Sequence, residues 1–259
     1  MKLREGEPSI TNDSSPSFLL PLLTFAVLNI SLGKPKFLKD LHMPSISVEN
    51  YLKNIYELEA SEERVTTSII ADKLKIAPAS VTDMVKKLSS KGFLRHVPYK
   101  GVEVTEKGKR SALKIIRKHR LWEMFLVQVL HFSWDKIHDE AEEFEHIMSE
   151  RMEEKIDEVL GHPVVDPHGD PIPSKKGILR HIEYDPLSRI EEGTVVRVVR
   201  VNDAHPELLE YISKIGLFLK TKMTVLQRIK FDNSFVVKIG NKKQFLSERM
   251  AESIFVQRV

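Results

Sequence analysis

Residues 66–91 read TTSIIADKLKIAPASVTDMVKKLSSK and carry two short helical periodicities divided by a turn. Ile69, Ile70 and Leu74 give residues 66–74 one apolar face, and Val81, Val85 and Leu88 do the same for residues 79–91. Between them lies Lys75-Ile76-Ala77-Pro78, where Pro78 suits a first helical turn, and Gly92 is placed to end the second helix. Upstream, Val48, Tyr51, Leu52, Ile55, Tyr56 and Leu58 recur at helical spacing over residues 48–60. Downstream, residues 93–97 and 102–105 are β-compatible and are joined by Pro98-Tyr99-Lys100-Gly101, a turn-rich tetrapeptide. A helix–turn–helix followed by a hairpin is the winged-helix arrangement, expected here over residues 46–110.

Working outward, residues 108–130 and 134–160 read as two long helices. The first carries Leu113, Ile116, Leu121, Phe125 and Val129, and the second Ile137, Ala141, Phe144, Met148 and Met152. Residues 161–177, GHPVVDPHGDPIPSKKG, read as a loop or linker. From about residue 190 the pattern becomes β, with short strands expected at 194–201, 224–229, 235–239, 244–246 and 254–256 and one helix at 206–214. Short strands at that density suggest a small barrel. The expected fold is mainly α with an α+β element. It comprises a winged helix (46–110), a helical domain with its linker (111–177) and a small SH3-like β-barrel (185–259).

Residues 1–42 stand apart. Residues 18–32, FLLPLLTFAVLNISL, are apolar but too short for a spanning helix, and no small-x-small cleavage site follows. The expectation is a protein that starts in effect at Met43 and works in the cytoplasm. The chain has no cysteine, which excludes disulfides, thiolate zinc sites and iron–sulfur clusters. Any metal must therefore be held by imidazole, carboxylate and carbonyl groups, which suit Mn²⁺, Fe²⁺, Co²⁺ or Zn²⁺ better than Cu⁺.

The formal charge of the 259 residues is only +3, so a nucleic-acid surface requires local clustering. Residues 84–110 supply it. Lys86, Lys87, Lys91, Arg95, Lys100, Lys107, Lys109 and Arg110 face only Glu103 and Glu106. Phosphates would supply most of the affinity for such a surface. Ala79, Ser80 and Thr82 at the start of the helix are small enough to approach a groove, with hydroxyls and a methyl to meet bases. Lys86 and Lys87 on the helix, and Tyr99 and Lys100 at the wing tip, complete the candidate DNA contacts. A basic helix can also be plain solvated surface; the helix–turn–helix and wing around this one favour DNA.

Further on, His138, Glu142, Glu145 and His146 fall on one sector of a helix, beside the apolar stripe of Ile137, Ala141, Phe144 and Met148. The preceding helix offers His119 and Glu123 at i, i+4. Two helices that each present imidazole and carboxylate can enclose a divalent cation. The same pattern also suits a solvated charged face.

Several segments together resemble the diphtheria-toxin-repressor and manganese-transport-regulator family. They are Glu49-Asn50-Tyr51-Leu52, the run from Val81 to Leu88, Arg117-Lys118-His119-Arg120-Leu121, His138-Asp139-Glu140-Ala141, Glu145-His146 and the run from Pro167 to Pro173. The resemblance runs from about Ser47 to the C-terminus, and the β-rich end is similar to the FeoA-type domain of the longer members. It implies a homodimer that binds a palindromic operator in double-stranded DNA once divalent metal is bound, and that represses metal-uptake genes. It also implies a primary site of Asn50, Glu142, Glu145 and His146. An ancillary site of His119, Glu123 and His138 follows, with Asp166, His168 and Asp203 as further candidates.

Three positions depart from one branch or the other. Where this chain has Asn50, iron-type members carry Met and manganese-type members Asp. At Lys53 the short manganese regulators have Glu, and at Glu142 the iron-type members have Cys. The hard carboxylate at 142 favours Mn²⁺, with Fe²⁺ next and Zn²⁺ or Co²⁺ as in-vitro substitutes. Three alternatives stand beside the sensor: a winged-helix regulator whose metal site has decayed, a positive regulator that uses the same contacts to recruit polymerase, and a di-metal carboxylate enzyme built on Glu143-Phe144-Glu145-His146. The enzyme lacks its second E-x-x-H on a separate helix, so no catalysis is expected.

Overall fold

The computed structural model describes residues 46–61, 64–97 and 101–259; the expectations for residues 1–42, Tyr99 and Lys100 lie outside them. The first elements are α1 (Ile46–Ser61), α2 (Thr67–Leu74), α3 (Pro78–Ser90), β1 (Leu94–Val97) and β2 (Gly101–Val104). Thr66 caps α2 by accepting from the Ile69 N–H, and Lys75 ends it in the left-handed conformation. Leu52, Ile55, Ile70, Val81, Leu88, Leu94 and Val102 bury together, so α1, both helices of the helix–turn–helix and the hairpin share one core. Gly101 is where the wing meets the body: its φ is +90°, and a Cβ there would lie 2.2 Å from the Val65 carbonyl oxygen. Only glycine suits that approach.

Thr105 caps α4 (Glu106–Gln128), a 23-residue helix that packs on α1 and on the helices that follow. The single helix expected over residues 134–160 is in fact two, α5 (His138–Glu145) and α6 (Glu150–Val159). The interruption has a local cause: Ser149 takes up extended backbone and accepts from the Met152 N–H, starting a new helix. Leu121, Leu126, Ile137, Ala141, Met148 and Ile156 form the core of this part. The expected linker after α6 is tied down, because Arg117 and Arg120 of α4 donate to the carbonyls of Pro173 (2.9 Å) and Pro171 (2.6 Å).

The C-terminal part is a six-stranded antiparallel sheet in the order β3-β8-β4-β5-β6-β7. The strands are β3 (Asp185–Pro186), β4 (Val195–Val201), β5 (Lys222–Arg228), β6 (Phe235–Ile239), β7 (Lys242–Leu246) and β8 (Ile254–Arg258), with α7 (Pro206–Lys214) and α8 (Glu248–Ser253) between them. Register shifts in β4 and β5 mark bulges, which bend a sheet. The alternating face of Val196, Val198, Met223, Val225, Phe235 and Val237 is buried in one core, where the apolar residues of α7 also pack. Trp134, from the connection between α4 and α5, joins that core. Its indole N–H donates to Ser213 Oγ at 2.6 Å. Gly169 closes the other approach: a Cβ there would stand 2.1 Å from the Val199 carbonyl oxygen, so the loop after α6 lies directly against β4.

Candidate metal centre

The centre is assembled from α1, α4 and α5. Glu145, at the last turn of α5, is fully buried. Its Oε2 accepts from Lys53 Nζ at 2.9 Å and lies 2.6 Å from His119 Nδ1. Its Oε1 has no hydrogen-bond partner and faces His146 Nε2 at 3.3 Å. The other nitrogen of His146, Nδ1, lies 2.8 Å from Glu49 Oε2. A carboxylate at Nδ1 steadies the ring with Nε2 aimed at Glu145, which is how ligating imidazoles are commonly held. A buried imidazole and carboxylate thus present two donor atoms to each other with nothing between them. That arrangement fits a metal ion and would otherwise be costly.

Glu142 is half exposed, one turn earlier on α5; its Oε1 lies 3.5 Å from Lys53 Nζ and 3.7 Å from His138 Nε2. Asn50 is half-buried on α1, and the α1 carboxylate that reaches His146 is its neighbour Glu49. Glu49 and Lys53 are the side chains that the sequence reading missed as site residues. Their i, i+4 spacing, on the helix face that carries them to α5, was the available signal.

A second cluster lies one turn along α4. His119 Nε2 is 3.1 Å from Glu123 Oε1 and 3.2 Å from His138 Nδ1, and the three residues place ligand atoms within 4.8 Å of one another. Burial alone would lower the pKa of His119, but the Glu123 charge and hydrogen bonds to Glu123 and Glu145 outweigh it and raise it to about 9. At neutral pH both ring nitrogens are therefore protonated. The 3.1 Å approach of Lys53 Nζ to Nδ1 is then a contact between two cations that share Glu145 Oε2. Burial would raise the carboxyls of Glu123 and Glu145, yet His119 beside both and Lys53 beside Glu145 hold them below the usual range.

Glu123 also belongs to a third grouping, with His168 and Asp203, again within 4.8 Å. The Nε2 of buried His168 lies 2.8 Å from the Trp134 carbonyl oxygen, which can only accept, so Nε2 carries the proton. Its Nδ1 is buried, has no hydrogen-bond partner and lies 3.7 Å from Asp203 Oδ2. This grouping spans α4, the loop and the start of the β-rich part. Asp166 is engaged otherwise. Its Oδ1 accepts from the His168 and Asp170 N–H groups at 2.9 Å each, and Oδ2 lies 3.3 Å from Arg120. Burial and the nearby charges of Glu123 and Asp170 push its carboxyl well up.

On α3, Ala79, Ser80, Lys86 and Lys87 are exposed. Thr82 is half-buried, and its hydroxyl donates to the Pro78 carbonyl at 3.0 Å, which leaves the methyl as its freer group. Beside the helix, Arg95 pairs with Glu103 at 2.8 Å, and Lys107 lies 4.3 Å over the Phe93 ring. The described residues contain no helix long and apolar enough to cross a membrane.

A winged-helix reading head joined to helices that converge imidazole and carboxylate groups defines a class, the metal-dependent DNA-binding repressors. Residues 43–102 match the iron dependent repressor N-terminal DNA binding domain, residues 105–174 the iron dependent repressor metal binding and dimerisation domain, and residues 186–258 the FeoA domain. The chain belongs to the iron-dependent repressor family. It is 29% identical over 231 residues to the iron-dependent repressor IdeR of Mycobacterium leprae, covering 82% of this chain and 97% of that one. It is 31% identical over 166 residues to the diphtheria toxin repressor of Corynebacterium diphtheriae, covering 61% and 73%. A solved manganese-dependent transcriptional repressor in complex with manganese superposes with a TM-score of 0.75 at 34% identity, over 82% of this chain and 100% of that one.

Proposed function

We propose that this chain is a cytoplasmic repressor of metal-uptake genes, activated by Mn²⁺ with Fe²⁺ as the next candidate, that binds a palindromic operator as a homodimer. The observation that supports it is the buried pair of Glu145 Oε1 and His146 Nε2, 3.3 Å apart, with the carboxylate oxygen unpartnered. Glu142, Glu145 and His146 would hold the ion, with Asn50 or Glu49 reaching in from α1. His119, Glu123 and His138, extended by His168 and Asp203, would serve a second ion; Asp166 positions the loop. A bound divalent ion would supply positive charge that Glu145 otherwise obtains from Lys53 and protonated His119. The oxygen-rich, thiolate-free donor set and the likeness to a manganese-bound repressor favour Mn²⁺.

The chain's own packing says why such a site can govern DNA binding. Leu52 and Ile55 of α1 share one buried core with Val81 and Leu88 of α3, while Glu49 and Lys53 on the same helix meet α5 and α4. Whatever fixes α1 against α5 therefore fixes the pose of the reading helix. Metal and operator should strengthen each other's binding by about 1–3 kcal/mol. Operator titration in Mn²⁺, Fe²⁺, Zn²⁺ and chelator, with Glu145→Ala and His146→Ala, tests the reading. Metal should tighten wild-type binding about 5–150-fold and leave both variants unaffected. Equal wild-type binding in chelator would instead favour a metal-independent regulator.

A further inference from the structure

We infer that the outward face of the C-terminal sheet is a second DNA-contacting surface, one that grips the phosphate backbone of duplex DNA without reading its sequence. The alternation that buries Val196, Val198, Met223, Val225 and Val237 turns Arg197, Lys222 and Lys238 to the opposite face. The register then sets Arg197 directly opposite Lys222, and Lys238 directly opposite Lys243. Thr224, opposite Lys238, links the two pairs into one patch. All four basic side chains are exposed, and among the described residues none has an ion-pair or side-chain hydrogen-bond partner. The strands β4 to β8 contain no Asp or Glu at all. The acids of this part of the chain stand on its helices and loops instead, as with Glu207 and Glu210 on α7 and Glu248 and Glu252 on α8.

Such a face works against the fold that carries it. Like charges directly opposite each other destabilise a sheet, and solubility alone is met by charges of mixed sign. Lysine on an edge strand guards against stray strand pairing, which accounts for Lys243 on β7. It does not account for Arg197, Lys222 and Lys238, whose strands β4, β5 and β6 are each paired on both sides. A polyanion laid across the face relieves both repulsions at once. Three strand-to-strand steps separate β4 from β7, so the charges spread over roughly 14 Å, wide enough to meet several phosphates. Among polyanions, duplex DNA is the one that residues 43–102 bring to this chain, because they match the iron dependent repressor DNA binding domain. Once that domain is docked, phosphate is the anion at highest local concentration around the sheet. Cationic tips on a broad sheet face suit the exposed backbone, whereas base edges lie down in the grooves.

The inference rests on the DNA-binding part of the function above, not on the metal, and one experiment separates the two. A labelled random-sequence duplex several helical turns long is titrated with full-length protein in Mn²⁺ over a series of salt concentrations. Fluorescence anisotropy then gives the slope of log affinity against log salt. The combined variant Arg197→Gln, Lys222→Gln, Lys238→Gln and Lys243→Gln should lower that slope by about 3–4. A control removes the same charge from exposed positions on other elements, through Lys136→Gln, Lys155→Gln, Lys175→Gln and Lys214→Gln. It should lower the slope by less than about 1, which separates contact from net charge. If the fourfold sheet variant does not fold, Lys222→Gln with Lys243→Gln decides: a drop of about 2 is expected, and less than about 1 overturns the inference. Wild type that binds the duplex, with the fourfold variant within about one unit of its control, overturns the inference alone and leaves the face to solvent or to another anion. Wild type that binds no duplex at any salt overturns the functional reading and this inference together.

Discussion

Replacing Glu145 by Gln in the metal-free protein isolates the electrostatics of the centre from its role in sensing. The carboxylate is fully buried and serves two cationic neighbours, Lys53 at 2.9 Å and His119 at 2.6 Å. The neutral amide keeps the shape and removes the charge, leaving two positive groups 3.1 Å apart in a buried pocket. Breaking a buried pair in this way costs about 3–5 kcal/mol when the remaining charge cannot escape. Here part of it can: His119 can release its proton, so a loss of about 2–3 kcal/mol is expected at pH 7. With a urea m-value of about 2–3 kcal/mol per molar, the unfolding midpoint should drop by roughly 1 M. The assay is urea unfolding in excess chelator, followed by circular dichroism, for wild type and Glu145→Gln. A second expectation sharpens it: the deficit should shrink as the pH approaches 9, where His119 is losing its proton in the wild type as well. A Glu145→Gln protein as stable as wild type at pH 7 would show that Lys53 and His119 are compensated elsewhere, and the charge accounting of the site would fail.

Two more outcomes follow from other parts of the molecule. His119 has a folded-state pKa of about 9 against an ordinary 6.5, so its contribution is fully present below about pH 6.5 and is lost as the pH rises through 9. Metal-free wild type should therefore lose up to about 3 kcal/mol of stability over that window relative to His119→Asn, and parallel pH profiles would contradict the assignment. On the DNA face, Lys86 and Lys87 are exposed on α3. Replacing each by Ala should weaken operator and non-specific DNA alike and reduce the slope of log affinity against log salt by about 1, whereas an unchanged slope would move the phosphate contacts off this helix.

The winged helix was legible because its signals are local: an apolar period, Thr66 and Pro78 at helix starts, and a Gly that must stand at the hairpin. Five of the six strands were legible for the same reason, their ends moving by one or two residues; β3, two residues long, carries too short a pattern to read. The interruption at residues 146–149 was not, because the apolar period of Ile137, Ala141, Phe144 and Met148 runs straight through it. The one contrary signal was a serine, Ser149, whose preference for a cap competes with continuation. At the centre, no spacing told that Glu49, beside the candidate Asn50, would hold His146 Nδ1. Neighbours on a helix point about 100° apart, and which of them meets a partner helix depends on how the two approach. The engagement of Asp166 with Arg120 and two backbone N–H groups depends on how the loop closes over α4, which spacing cannot express.

Trp134 belongs by chain position to the helical part and by burial to the sheet. Its ring stacks on His168 at 5.6 Å and lies 5.6 Å from Phe218, while its carbonyl oxygen holds the proton-bearing nitrogen of His168. A shortened chain ending near residue 180 would therefore not be a trimmed repressor with one module fewer. It would strip an indole of its apolar cover and remove Asp203, the carboxylate 3.7 Å from His168 Nδ1, so the damage would reach the grouping that includes Glu123 on α4. The β-rich end is in this sense a wall of the centre, and its loss should be felt by ions bound on the helices.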